Sequence, residues 1–184
     1  MTRSQTPLSL EYILLGFLCQ GPIHGYDLYK KISNFESISL FWHIKQSQLY
    51  ALLDKLEEDS LLTSKMVPGE AHLMRKEYQI TSMGRTSFLT WVTCPVSHGR
   101  DMRQVFLAKL YFTQKSGVEV SMELIEEQKA ECAEWLSSLH ISYSKTTNEQ
   151  HYERMLFQFR ISQIQAMIEW LDYCRVEIQS GFAR

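Results

Sequence analysis

The stretch FWHIKQSQLYALLDKLEEDSLL, Phe41 to Leu62, decides how the chain is read. Leu49, Leu52, Leu53 and Leu56 recur at three- and four-residue steps, the spacing that places side chains on one face of an α-helix. With those leucines turned inward at about 100° per residue, Ser47, Ala51 and Asp54 face out, flanked by Gln48, Tyr50 and Lys55. The exposed first turn is then polar and uncharged, and the acids Asp54, Glu57, Glu58 and Asp59 all come later. Amide and hydroxyl groups can donate to or accept from base edges and phosphate oxygens, and the positive end of the helix dipole lies at the same end. A helix that enters the DNA major groove by its amino end needs this arrangement. The plainer reading is that Gln46 and Ser47 only cap a surface helix.

The flanking sequence places this helix third of three. Ser9 can cap a first helix whose apolar positions Leu10, Ile13, Leu14, Phe17 and Leu18 follow the helical period up to Gly21-Pro22. HGYDLYKKISNF (24–35) restarts helix with Leu28, Ile32 and Phe35 on one side and Lys30-Lys31 on the other. Three short amphipathic helices cannot each bury a stripe alone, so they pack together. The period then changes to alternation in LLTSKMV (61–67) and RKEYQI (75–80), two antiparallel strands joined through PGEAHLM (68–74). Thr81 caps SMGRTSFLTWV (82–92), which Cys94-Pro95 stops. Helix, helix, helix, hairpin, helix is the order of a winged helix-turn-helix. Lys65, Arg75 and Lys76 near the hairpin turn are candidate contacts for a phosphate or the minor groove, or else a merely solvated face.

The remainder reads as a second, wholly helical domain, which divides the chain at 1–95 and 96–184. PVSHGRD (95–101) is a linker, and Asp101 caps a helix that runs through Gln114 with Met102, Val105, Phe106 and Leu110 on its apolar side. Two helical stretches of about 25 residues or more follow Gly117, longer than ordinary globular helices, which points to a helical hairpin seeking another surface. A second copy of the chain is the simplest such surface, with Trp135, Leu139, Phe159, Met167, Trp170 and Leu171 as dimerisation candidates. The expected fold class is therefore mainly α, an amino-terminal winged helix-turn-helix followed by antiparallel long helices that dimerise.

Composition narrows the function classes. With 184 residues, 45% of them apolar, the chain can bury a proper core. A net charge of −2 does not announce a polyanionic partner, so a DNA-binding surface has to be a local patch. Up to Arg100 there are 10 Lys and Arg against 9 Asp and Glu, and 9 against 12 beyond it, which decides nothing alone. Cys19, Cys94, Cys132 and Cys174 form no C-x-x-C pair and have no His at ligand spacing, which disfavours a zinc site or a disulfide framework and fits reduced thiols in a cytoplasm. YILLGFLC (12–19) is too short to span a bilayer and lacks a cleavage site, so no membrane segment is expected. No G-x-S-x-G, phosphate-binding glycine loop or paired carboxylate motif supports an enzyme, and no cofactor or metal is implied. The surviving rival to a DNA reader is an adaptor whose winged domain has little or no affinity for DNA.

GPIHGYDLYKKI (21–32), FWHIKQSQLYALLDKLEEDSLL (41–62), RKEYQITSMGR (75–85) and RDMRQVFLAKLYF (100–112) together resemble the PadR family of bacterial transcriptional regulators, in its long form with a helical carboxy-terminal domain. The resemblance runs from about Leu10 to Phe112 and more loosely to the end, carried in order by Trp42, Ser47-Gln48, Tyr50, Leu56, Tyr78, Thr81, Gly84 and Arg85. It implies a cytoplasmic homodimer that binds double-stranded DNA through the third helix and the wing, under the control of an effector or partner. Lys45, Gln46, Ser47, Gln48, Tyr50, Lys55, Lys65, Arg75 and Lys76 are the DNA-contact candidates. Tyr50 suits packing against the second helix equally well. Asp54 departs from the family, which usually has a basic residue there, so no phosphate contact is carried over to it. Phe41, Trp42, Trp91, Phe106 and Tyr111 fall near the predicted domain junction, where a small aromatic effector could lodge, although aromatics at helical spacing also suit a core.

Overall fold

The computed structural model describes residues 9–34, 44–68 and 74–181. They divide into two compact units, Met1–Val92 and Thr93–Arg184. The first holds α1 (Ser9–Leu18), β1 (Ile23–His24), α2 (Gly25–Ser33), α3 (Gln46–Glu58), β2 (Leu62–Pro68), β3 (Met74–Ile80) and α4 (Ser82–Thr93), whose last residue begins the second unit. α1 takes in Ser9 itself, so that residue lies inside the helix and is not its cap.

In the first unit the apolar stripes converge as their period requires. Leu14, Phe17 and Leu18 of α1, Leu28 and Ile32 of α2, and Leu49, Leu53 and Leu56 of α3 are all fully buried, each contributing about 1.5–3 kcal/mol of transfer free energy. β2 and β3 pair antiparallel from Leu62↔Ile80 to Pro68↔Met74, and Tyr78 is the buried member of the alternation in β3. A third strand escaped the sequence reading: Ile23 and His24 pair with Tyr78 and Glu77, giving the order β1-β3-β2. Two residues are too few to show a period. His24 also stands as the N-cap residue of α2.

α3 ends in a tight closure. Ser60 N–H bonds to Glu57 O at 3.0 Å and Leu61 N–H to Leu56 O at 2.9 Å, with Ser60 in the left-handed region at φ 58°. Thr81 caps α4 as its sequence suggests, its Oγ1 accepting from Gly84 N–H at 3.0 Å. Trp91 of α4 stacks on Tyr12 of α1, centroids 5.0 Å apart and planes 4° from parallel.

The second unit comprises a 3₁₀ turn at Gly99–Arg103, α5 (Val105–Thr113), α6 (Val118–Ser144) and α7 (His151–Gly181). The single helix expected from Asp101 to Gln114 is broken at Gln104, whose backbone (φ −132°, ψ −58°) is not helical. Over one turn a three-residue period and a 3.6-residue period select the same positions, so sequence spacing could not show the break. α6 and α7 run antiparallel, as the cross-links Lys129–Asp172 (2.6 Å) and Glu126–Arg175 (3.5 Å) require, and Arg154 Nη2 donates to Tyr143 Oη at 2.8 Å across the closed end. Leu124, Ile125 and Cys132 pack with Ile164, Leu171 and Ile178 between them. Buried Gln128 holds the entering chain: Val96 N–H donates to its Oε1 at 2.7 Å, and its Nε2 donates to Val96 O at 3.1 Å.

Lys109, 4% exposed, donates to Cys94 O at 2.7 Å. Burial pulls its ammonium down to about 8. The unfolded chain holds this proton to higher pH than the folded one, so unfolding takes up a proton above pH 8 and stability rises there. The buried thiol of Cys174, pushed up to about 11 by burial, works in the opposite direction once the unfolded thiol ionises. The Lys109 contribution is a gain of about 1 kcal/mol between about pH 8 and 9, read in urea unfolding as the difference in slope between the parent and the variant lacking the ammonium. Lys109→Met should lack that slope, and equal slopes in the two proteins would contradict the assignment.

Candidate nucleic-acid interface

α3 begins at Gln46 after Lys45, whose extended backbone supplies no side-chain cap. Leu49, Leu53 and Leu56 anchor the helix from below, which fixes Gln46, Ser47 and Gln48 on its exposed side. None of these three side chains has a hydrogen-bond partner among the described residues. The capping reading of Gln46 and Ser47 therefore finds no bond to support it. Tyr50 is placed differently: a Cβ built on Gly25 would come within 2.7 Å of its Cε1, so its ring packs on the first residue of α2. Of the two readings open for Tyr50, this geometry is the packing one.

The five candidate cations separate into two groups. Lys55 Nζ is 2.7 Å from Glu11 Oε1 on α1, and that hydrogen bond raises the lysine's pKa. Lys65 lies 3.1 Å from Glu77 across the hairpin. Lys76 reaches back to α3, 2.8 Å from Glu57 and 3.6 Å from Asp54. Lys45 and Arg75 have no acid partner among the described residues. Lys55, Lys65 and Lys76 are thus partly neutralised in place, whereas Lys45 at the helix start and Arg75 on β3 present unpaired charge.

Glu57 is a junction between α3 and the hairpin to which the sequence assigned no role. It accepts from Ser64 Oγ at 2.5 Å and from Lys76 Nζ at 2.8 Å, tying β2 and β3 to α3. Those two donors, Lys76 first, hold its carboxyl below the usual range, while Glu57 raises Lys76. Exposed ion pairs contribute about 0–1 kcal/mol each, so these ties link hairpin to helix while adding little stability. Asp54, the departure from the family pattern, joins the same lysine. Partners 19 and 44 residues apart leave no local signal, which is why these ties were not legible beforehand.

The effector candidates are distributed over both units. Trp91 is stacked on Tyr12 in the first. In the second, Phe106 is fully buried and meets Trp170 edge-on at 6.0 Å, a core position and not a ligand surface, while Tyr111 is half-buried against Phe112. Phe41 and Trp42 lie outside the described residues. Among the dimerisation candidates Leu171 is a correction: it is fully buried in its own unit's core, where the α6–α7 seam requires it, and offers nothing to another copy. Trp135, Leu139, Met167 and Trp170 are half-buried against the same core. Phe159 is exposed, in line with Tyr152, Met155 and Leu156. No helix among the described residues is long and apolar enough to cross a membrane.

Residues 14–89 match the model of the transcriptional regulator PadR-like family, and residues 102–179 match that of the virulence activator alpha C-terminal domain. The negative transcriptional regulator PadR of Bacillus subtilis is 28% identical over 136 residues, 74% of either chain. Among solved structures, Bacillus subtilis PadR with operator DNA is 23% identical over 92% of this chain and 98% of its own (TM-score 0.46). The Vibrio cholerae virulence activator AphA is 25% identical over 93% and 98% (TM-score 0.40). With a winged-helix unit in the first matched segment and a helical unit in the second, the chain carries a PadR-like domain followed by a virulence activator alpha C-terminal domain, the domains of transcriptional regulators and not of enzymes.

Proposed function

We propose that the chain works as a homodimeric repressor that reads an inverted-repeat operator with α3 and the β2–β3 wing, under the control of a small effector. The observation that carries this reading is the first turn of α3: Gln46, Ser47 and Gln48 are exposed and, among the described residues, have no hydrogen-bond partner, and Lys45 beside them has no acid partner there. Amide side chains at the leading end of a helix can pair with adenine edges in the major groove. A negative regulator among the relatives supports repression, since a dimer that covers a promoter blocks polymerase without further contacts. Two α3 helices related by a twofold axis would meet half-sites about 34 Å apart, or a multiple of that.

Footprinting on the upstream region of the protein's own gene supplies the operator for the test. Gln48→Ala is expected to lose about 1–3 kcal/mol on that operator and little on random DNA. Arg75→Gln is expected to weaken both equally and to lower the salt slope by about one unit. Equal losses on both DNAs for Gln48→Ala would remove base reading, and an unchanged slope for Arg75→Gln would remove the wing.

The pairing of Lys55, Lys65 and Lys76 favours a second reading, an adaptor whose winged unit holds DNA poorly. Asp54 separates the two. Its carboxylate is 61% exposed, so on bound DNA it would add an acid near phosphate. Asp54→Asn is then expected to tighten binding by about 0.5–1 kcal/mol in a low-salt titration. An adaptor would elute from DNA at low salt with or without the substitution.

A further inference from the structure

In the second unit, residues 97–103 and the facing stretches of α6 and α7 line a half-open cavity of about 650 Å³, a size ordinary for small-molecule sites. Arg100, Arg103 and Arg160 are among its lining residues, and no Asp or Glu is. Arg100 has Asp101 beside it, Nε to Oδ1 at 3.7 Å. Arg103 and Arg160 have no acid or hydrogen-bond partner among the described residues. The rest of the wall is mixed, with Trp135, Leu139, Ile164 and Met167 beside Ser97, His98, Ser138 and Gln163. A smaller hollow of 260 Å³ shares Arg103, Gln163 and Met167 with this cavity and continues over Met102, Leu107 and Trp170.

Like charges that line one concavity repel, and an anion reverses the sign of that interaction. The arginine fork matches the planar oxygens of a carboxylate. The shallow apolar annex beside Arg103 gives a hydrocarbon or ring body a surface to lie against. We propose that this cavity binds an amphiphilic organic anion, its acidic head taken by Arg103 and Arg160 and its apolar body lying over Trp135, Met167 and Trp170. The site lies wholly within the helical unit and uses none of the aromatics that the sequence suggested for an effector. Only its regulatory consequence rests on the proposed repressor function.

Calorimetry on the full chain without DNA tests it, with decanoate and 3-phenylpropanoate as probes for chain and ring bodies and decanol as the uncharged control. The expected result is saturable binding of at least one acid, with decanol at least about tenfold weaker, the size of one charge-assisted hydrogen bond. The double substitution Arg103→Gln/Arg160→Gln should weaken the acid about tenfold or more, and Ser138→Trp, which fills the cavity from α6, should do the same. Because both arginines are exposed, the double variant should keep the parent's circular dichroism. The proposal is overturned if neither acid saturates, if decanol binds equally well, or if the double variant binds unchanged. It is also overturned if the double variant changes the protein's solution mass, since the cavity would then be a seat for another copy. Operator binding is measured separately: its failure would remove the repressor reading and leave the calorimetric result standing.

Discussion

Gly84→Ala is expected to cost the first unit about 2–5 kcal/mol, the combined range for an overpacked site and a lost helix cap. Gly84 is buried three residues into α4, and its N–H is the one that Thr81 Oγ1 accepts. A Cβ there would overlap Leu61 O and come within 2.9 Å of Leu61 C and 3.0 Å of Ile80 Cγ1. The obstacle is backbone, which cannot swing aside as a side chain does. Leu61 O is also a shared acceptor, receiving Thr81 N–H at 3.1 Å and Thr81 Oγ1 at 3.1 Å. Pushing it away therefore loosens the start of α4 together with the turn that leaves α3. That turn has little slack, because Ser60 already occupies the left-handed region where most side chains cost about 1–2 kcal/mol. Urea unfolding should show a lowered midpoint with an unchanged slope, and DNA binding should fail at temperatures the parent tolerates. A midpoint equal to the parent's would mean that the Leu61–Gly84 contact is not held in solution.

The same residues show what the sequence could and could not carry. Leu49, Leu53 and Leu56 of α3, the alternation through Tyr78 and the Thr81 cap are local signals, set by periods of 3.6 and 2 residues or by one side chain reaching three residues on, and each appears where its spacing places it, while Leu52 is only half-buried. β1 is too short to have a period, and Gln104 breaks a helix where two periods agree. The candidate interface was legible in kind and not in detail. Exposed, uncharged groups at the start of α3 follow from the helical wheel alone. Which cations stay free depends on contacts such as Glu11 with Lys55 and Glu57 with Lys76, created only when distant elements meet. Leu171 shows the converse limit. On a long amphipathic helix the apolar stripe facing the chain's own core and a stripe facing another copy look alike in one dimension.

α7 separates those stripes, and the separation carries the largest functional effect expected here. Ile161, Ile164, Leu171, Cys174 and Ile178 face the unit's own core. Tyr152, Phe159 and Tyr173 share a strict seven-residue register on the opposite side, with Met155 and Val176 adjoining, and all five are exposed. Such a row of large apolar side chains is costly to leave in water, and its heptad spacing suits a helix of a second copy. Phe159→Glu places a charge at the centre of the row without touching the core, so the monomer should keep its helical content. The expected result is a halved mass in sedimentation. Operator affinity should fall by about 10²–10⁴, the factor gained when one bound half-site holds the second nearby. Binding to an isolated half-site should stay as it was, because α3 lies in the other unit. An unchanged mass would place the dimer contact elsewhere, and an unchanged operator affinity in a protein shown to be monomeric would mean that one copy suffices to read the DNA.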